Sequence, residues 1–134
     1  MTTPHEILNP PELADPIGFS HAVVAAAGRT VYIGGQTAHD SDGVVVPGGI
    51  AEQFGKAAAN LVTALGAAGA QPDHLVSMQI YVTDAAGYRA ALKDLAPIYR
   101  KHLGTHYPAI SLFEVTGLFD PAALVEIVAT AVVP

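Results

Sequence analysis

The hydrophobic pattern in the middle of the chain is helical. From Ile50 to Ala68 the apolar residues recur every three or four positions, and Gly69 and Pro72 follow the run. Apolar residues at this spacing line one face of an α-helix, and glycine followed by proline is typical of a helix end. The pattern therefore predicts an amphipathic helix that packs one face on a sheet.

A second helical pattern follows Asp84 and contains a proline. Asp84 is placed to cap the N-terminus of this helix, whose apolar face consists of Tyr88, Ala91, Leu92, Leu95 and Ile98. Pro97 has no N–H, and its ring collides with the carbonyl four residues earlier, which costs about 3 kcal/mol unless it is relieved. We therefore expect this helix to bend near Asp94.

Alternating or continuous apolar runs predict the strands. The clearest is 76–82, in which apolar residues alternate with Ser77, Gln79 and Tyr81. Runs at 19–26 and 30–34, separated by Ala27, Gly28 and Arg29, predict a hairpin. Two further strands are predicted at 110–116 and 124–132, and a short edge strand at 44–46. This order indicates an α+β fold, with a mixed sheet of about six strands and two helices on one sheet face.

Composition adds the expectation of a partner subunit. Hydrophobic residues make up 51% of the 134 residues and charged residues 13%, whereas about 25% of residues are charged in a typical soluble protein. This length suits one domain with one core. We therefore expect a single domain over 1–134 whose surface is partly covered by another subunit.

The charge balance and the lack of cysteine exclude several kinds of partner. Six Lys and Arg against twelve Asp and Glu give a net charge of -6, which repels a nucleic acid backbone. Without cysteine there is no disulfide, thiol nucleophile or cysteine metal site, and the histidines lack the HxH or HExxH spacing of metal motifs. The sequence has neither a signal-type N-terminus nor a long uninterrupted apolar run. We therefore expect a cytoplasmic protein without a nucleic acid, membrane, metal or cofactor partner.

Five separated segments match a known family pattern. The segment 17–23 (Ile-Gly-Phe-Ser-His-Ala-Val) is similar to Gly-Pro-Tyr-Ser-Gln-Ala-Val, and 31–36 (Val-Tyr-Ile-Gly-Gly-Gln) to a strand that ends in Ser-Gly-Gln. The strand 76–84 is similar to a central strand that ends in Thr-Asp, 107–111 (Tyr-Pro-Ala-Ile-Ser) to Phe-Pro-Ala-Arg-Ser, and 125–127 to a terminal Glu-Ile strand. In this order and spacing, the segments resemble the reactive intermediate deaminase superfamily, called Rid or YjgF-like.

The resemblance implies a homotrimer built around a chorismate-mutase-like barrel. Three sheets would form this barrel, with the helices outside and three small-molecule clefts between neighbouring subunits. Family members with the full site hydrolyse reactive enamine or imine intermediates, such as those from amino-acid dehydratases, to keto acids and ammonia. The chemistry expected for this chain depends on how much of that site it keeps.

Most of the site residues implied by the resemblance differ from the family's. Glu126 keeps the family identity and is the candidate catalytic residue, because a carboxylate among apolar neighbours can exchange protons near neutral pH. Ile110 stands where the family's arginine holds the substrate carboxylate. The other candidate substrate-binding positions are small or apolar where the family has polar residues or tyrosine, namely Phe19, Gly34, Leu92 and Leu112.

Two interpretations of the site stay open. Gln36 and Ser111 are further candidate substrate-binding residues, and His21 and His106 are candidates for the cleft lining. Because Ile110 offers no donor, we do not expect the usual 2-imino acid activity. One interpretation is hydrolysis of a C–N bond in a less anionic metabolite by Glu126 and water; the alternative is a binding or regulatory trimer without turnover.

Overall fold

The computed structural model describes residues 2–134 and has the α+β architecture expected from the sequence. A turn of 3-10 helix at Pro72–His74 precedes the fourth strand. The helices and strands, in chain order, are β1 (Glu6–Leu8), β2 (Ala22–Val24), β3 (Arg29–Gln36), α1 (Ile50–Ala67), β4 (Leu75–Val82), α2 (Ala85–Ala90), α3 (Leu92–Leu103), β5 (Ala109–Glu114) and β6 (Val125–Val133).

The six strands form two sheets rather than one. The main sheet has four strands in the order β3-β6-β4-β5, and β1 pairs with β2 in a separate two-stranded sheet. In the main sheet β4 and β5 are parallel, whereas β6 is antiparallel to both β3 and β4. The sheet is therefore mixed, as expected, and the helices α2 and α3 supply the crossover that a parallel pair requires.

The hairpin predicted at 19–34 is wrong. The strand β2 pairs with β1, and β3 pairs along most of its length with β6, from the far end of the chain. The strand β6 has nine residues and β2 has three, so β6 can form more backbone hydrogen bonds with β3. The buried His5 supports the other pairing, because the Ala26 N–H donates to its Nδ1 at 3.1 Å and its Nε2 lies 2.9 Å from the His74 carbonyl oxygen.

The core lies between the main sheet and one layer of helices. Alternate residues of β4 and β6 face the helices and are buried, with Ile80 and Ile127 directly paired. On the helix side, Phe54, Leu61 and Leu65 of α1 are almost inaccessible to solvent. The opposite side of the sheet carries Tyr32, Gln79, Tyr81, Ser111, Phe113 and Glu126, and we call it the open face.

The second helix begins as predicted but breaks in a different place. The Gly87 N–H donates to the Asp84 side chain at 2.9 Å, which confirms Asp84 as the N-cap. The expected bend near Asp94 is wrong, because the interruption lies at Ala91, between α2 and α3. Since α3 starts at Leu92, Pro97 falls in its first half, where a missing N–H removes a single helical hydrogen bond.

Candidate functional site

An apolar pocket of about 490 Å³ lies between the helices α2 and α3, the strands β4 and β5, and the segment before β2. Four of the candidate substrate-binding residues line it, namely Phe19, Leu92, Ile110 and Leu112. We call this cavity the apolar pocket. The structure therefore brings together residues that are distant in the sequence, since Phe19 and Leu112 are 93 positions apart.

Strand register and two hydrogen bonds place these residues. Ile110 pairs with Met78 and Leu112 with Ile80, whose side chains face the helices, so Ile110 and Leu112 lie on the helix side of β5. Ser20 anchors Phe19, because its N–H donates to the Pro108 carbonyl at 3.0 Å and its hydroxyl donates to a neighbouring carbonyl at 2.6 Å. The N-terminal segment thus forms one wall of the pocket.

The lining carries no charged side chain among the residues that the structure describes. Its side-chain polar atoms are the hydroxyls of three tyrosines, Tyr88, Tyr99 and Tyr107. Tyr99 stacks on Tyr107 with ring centroids 4.8 Å apart, and its hydroxyl donates to the His106 carbonyl at 2.8 Å. Burial raises the pKa of Tyr88 and, together with the neighbouring phenols, that of Tyr99. The phenols of Tyr88 and Tyr99 therefore stay protonated at neutral pH.

The candidate catalytic residue, Glu126, lies on the open face instead of in the apolar pocket of its own chain. It pairs with Tyr81, and the next residue, Ile127, is buried on the helix side. A Cβ added to Gly35 would lie 2.6 Å from Glu126 Oε2, so the carboxylate rests directly over this glycine. Ser111 is also on the open face, paired with Gln79. Within one chain the sheet separates both residues from the pocket.

A bulge in β3 holds the two remaining candidates. Between the pairs Ile33 with Ala129 and Gln36 with Ile127, β3 has one residue more than β6. This extra residue belongs to the Gly34-Gly35 pair, and the Gln36 side chain donates to the Gly34 carbonyl at 3.1 Å. Gly34 and Gln36 line a shallow hollow of about 360 Å³ beside the C-terminal end of α1. The eight candidates therefore occupy three places in a single chain.

The two candidate histidines are engaged in structural contacts. His21 Nε2 lies 2.7 Å from the Ala14 carbonyl oxygen, and its ring packs edge-on against Phe19 at 5.0 Å. The buried His106 has its Nε2 2.8 Å from the Leu75 carbonyl oxygen. Both rings hold the loops that border the apolar pocket.

Sequence reasoning missed a chain of three side chains outside this pocket. His39 contacts the Thr37 hydroxyl through Nδ1, and its Nε2 lies 3.1 Å from Asp120 Oδ2. The Ala122 N–H and His39 hold the pKa of Asp120 below its usual value. His39 and Asp120 are 81 residues apart, so no local motif indicates this contact. It joins the loop after β3 to the loop before β6.

Two kinds of site are not found within residues 2–134. No group of three or more His, Cys, Asp or Glu side chains in this range is placed to hold a metal ion. The helices of the same range fall short of the combined length and hydrophobicity that crossing a membrane requires.

Comparisons with solved structures find the same architecture in other proteins. A protein of unknown function of the conserved Rid protein family from Yersinia pestis superposes with a TM-score of 0.86 at 35% identity, covering 96% of this chain and 98% of that one. A member of the highly conserved YjgF/YER057c/UK114 family from Mycobacterium tuberculosis gives a TM-score of 0.63 at 35% identity, covering 87% and 88%.

Comparisons of sequence agree with the structural ones. The RutC family protein UK114 of Drosophila melanogaster is 33% identical over 128 residues, covering 94% of this chain and 88% of that protein. Human 2-iminobutanoate/2-iminopropanoate deaminase is 30% identical over 115 residues, covering 85% and 79%. The family model described as Endoribonuclease L-PSP matches residues 12–133. The chain therefore belongs to the endoribonuclease L-PSP family, within the Rid or YjgF-like superfamily that its sequence resembles.

Proposed function

We propose that the protein is a homotrimer that binds a small, uncharged and largely apolar metabolite in clefts between its subunits. One observation carries the ligand class: aliphatic Ile110 occupies, in a lining without charge, the position where the resemblance places the carboxylate-binding arginine. A carboxylate entering this pocket loses hydration and gains no charged partner. The ligand therefore differs from the 2-imino acids for which several relatives are named.

The trimer is supported by the distribution of the candidate residues over the two sides of one sheet. The open face carries exposed aromatic side chains on both edge strands, Tyr32 on β3 (81% accessible) and Phe113 on β5 (46%), and exposed apolar surface of this kind is typical of an interface. If the open face of one subunit packs against the β5 side of its neighbour, Glu126 approaches the neighbour's apolar pocket. A cleft between two subunits would thus contain both Glu126 and the pocket residues, which lie on opposite sides of the sheet in one chain.

Within such a cleft the proposed chemistry is hydrolysis of a neutral imine or enamine. Glu126 accepts a proton from a water molecule while the water oxygen bonds to the carbon of the C=N group. Glu126 then passes this proton to the nitrogen, which gives the carbinolamine. Its hydroxyl proton moves to the nitrogen as the C–N bond breaks, which releases the amine and leaves a carbonyl compound. The Glu126 carboxylate rests over Gly35 on the open face, where it can reach a water molecule in a cleft formed with a neighbouring subunit.

Binding without turnover is the alternative, and the pocket lining favours it. Among residues 2–134, those that line the pocket include no acid or base other than the three phenols. If Glu126 serves only to satisfy the subunit interface, the trimer binds its ligand and releases it unchanged. RNA is not a proposed substrate, because a net charge of -6 opposes binding to a nucleic acid backbone.

Two measurements test the assembly and the ligand class. Light scattering at micromolar concentration should give three times the 13.8 kDa of one chain; a monomer mass would contradict every site built between subunits. In a coupled assay, a dehydratase generates the imine of 2-aminoacrylate, and pyruvate release is followed beside an arginine-bearing relative. We expect little acceleration by this protein. Acceleration equal to the relative's would show that the ligand class is wrong.

A third measurement distinguishes the two candidate functions. An amine oxidase generates the uncharged imine of benzylamine, and benzaldehyde release is followed with the wild type and with Glu126→Gln, which keeps the shape of the side chain but removes its charge. If the wild type accelerates hydrolysis of this imine and the variant does not, the result supports the enzymatic function. If both proteins bind the imine and neither accelerates benzaldehyde release, the result supports the binding function.

A further inference from the structure

Two of the three tyrosines that line the apolar pocket have hydroxyl groups without a partner in the described chain. Those of Tyr88 and Tyr107 make no hydrogen bond within residues 2–134, whereas the third, that of Tyr99, is bonded to a carbonyl. No buried side-chain oxygen or nitrogen in the described chain lacks a partner, so both free hydroxyls are open to water. They are therefore the side-chain donors available to a molecule in the pocket.

The rings that carry these hydroxyls are held in place by their surroundings. Tyr107 stacks on Tyr99, whose own hydroxyl is tied to the backbone. Tyr88 packs edge-on against the buried Phe54, with centroids 6.3 Å apart. Because burial raises the pKa of Tyr88, its phenol remains a donor at neutral pH. A fixed donor favours binding, since less conformational freedom is lost when it meets its acceptor.

The family resemblance makes Tyr107 informative. In the segment 107–111 the family pattern begins with phenylalanine, and this chain begins with tyrosine. Tyr107 thus places a neutral donor in the pocket lining, and Ile110 stands where the resemblance implies a cationic one. This combination favours an uncharged acceptor over an anion.

We propose that the apolar pocket selects neutral small molecules that carry a hydrogen-bond acceptor, such as a ketone, lactone, amide or imine group, and that the hydroxyls of Tyr88 and Tyr107 are the specificity-determining donors. This inference rests on the proposed function, in which the pocket is a ligand site. It goes further by naming the polar group of the ligand and the residues that recognise it.

Hydrocarbons and carboxylates both fit this pocket less well than a neutral acceptor does. A hydrocarbon would strip water from both hydroxyls and return no hydrogen bond. A carboxylate would be buried without a positive partner. A neutral acceptor group accepts hydrogen bonds from the two hydroxyls, and the apolar part of the same ligand packs against the aliphatic and aromatic side chains of the lining. The pocket volume of about 490 Å³ lies within the range of small-molecule sites.

The test uses three probes with nearly the same carbon skeleton. They are 4-phenylbutan-2-one, which is neutral with an acceptor, 3-phenylpropanoate, in which a charged oxygen replaces the methyl group, and butylbenzene, which has no acceptor. Dissociation constants are measured by NMR titration of the full-length wild-type protein, at a concentration where its oligomeric state has been measured. The wild type should bind the ketone most tightly, with shift changes around Tyr88, Tyr107 and Ile110.

Phenylalanine substitutions then remove the hydroxyls and keep the rings. Each of Tyr88→Phe and Tyr107→Phe should weaken ketone binding by about two- to tenfold, the usual effect of one lost hydrogen bond, and the double variant by roughly the product. Butylbenzene binding should stay the same or improve. Thr63→Val is the control, because it removes a hydroxyl on the exposed side of α1, away from the apolar pocket and the open face, and it should change neither affinity.

The outcomes separate this inference from the proposed function. If the wild type binds the ketone and butylbenzene equally, or if the double variant binds the ketone as tightly as the wild type, the inference is wrong while the apolar ligand site stands. If the wild type prefers 3-phenylpropanoate, or binds none of the three probes, the proposed function fails as well. If the wild type binds the ketone more tightly than the other two probes and the double variant does not, the result supports both the inference and the proposed function.

Discussion

Replacing Gly35 by alanine should move the Glu126 carboxylate with little effect on the fold. The added Cβ would lie 2.6 Å from Glu126 Oε2, 2.7 Å from its Cδ and 3.1 Å from its Cγ. Real Cβ atoms do not approach heavy atoms so closely, and ordinary contact begins at 3.4 Å. The end of the Glu126 side chain must therefore shift by roughly 0.8 Å or adopt another rotamer.

The expected stability change is small because the displaced atoms belong to a flexible side chain. Gly35 does not have a positive φ, so alanine fits its backbone without strain. A rotamer shift costs on the order of 1 kcal/mol, and replacing glycine by alanine returns about 0.4–1 kcal/mol by restricting the unfolded chain. The free energy of unfolding should change by less than about 1 kcal/mol. If Glu126 is catalytic, a displacement near 1 Å could lower turnover by about 100-fold.

The neighbouring glycine supplies the control. A Cβ at Gly34 meets no atom within 4 Å, so Gly34→Ala makes the same chemical change in the same bulge without touching Glu126. Thermal unfolding and the ¹³C resonance of the Glu126 carboxylate are measured for both variants. We expect similar midpoints but a shifted resonance only for Gly35→Ala. An unchanged resonance in Gly35→Ala, or a loss of stability above about 3 kcal/mol, would refute this account of the glycine.

Three further predictions concern side chains that join separate parts of the chain. Because contacts depress the pKa of Asp120 in the folded state, its stabilising effect is complete above about pH 4 and lost as the pH falls through that lower value. Asp120→Asn should make stability less dependent on pH below 4, as measured by urea unfolding; unchanged dependence contradicts this. The buried Gln53 exchanges hydrogen bonds of 3.0 and 2.8 Å with the backbone before β6. Gln53→Leu should therefore cost about 1–3 kcal/mol and speed hydrogen exchange there; equal exchange would be evidence against it. Asp84→Ala removes the N-cap bond to Gly87 and should lower the free energy of unfolding by about 0.5–2 kcal/mol; no loss would show that α2 does not need the cap.

The sequence alone determined the features that depend on local periodicity. The spacing from Ile50 predicts α1 to within one residue of its end, and the alternation around Met78 predicts β4 with its buried face. Asp84 is a local signal as well, because an N-cap bonds to the backbone three residues away. The family resemblance adds the candidate residues, since it compares segments one by one and needs no knowledge of contacts.

Tertiary structure decided every feature that depends on residues distant in the chain. Local turn signals favoured a hairpin at 19–34, yet β3 pairs with β6 because the longer ladder forms more hydrogen bonds. The break between α2 and α3 lies at Ala91, six residues before Pro97, so the position of the proline does not reveal it. Alternation along a strand predicts that neighbouring side chains lie on opposite sides of the sheet, but not which side faces the helices. The pairing of β5 and β6 with β4 places Ile110 on the helix side, in the pocket, and Glu126 on the open face. The contact between His39 and Asp120 has the same origin: pairings across 81 residues leave no periodicity in a sequence, because the chain between them is free to take any path that the core permits.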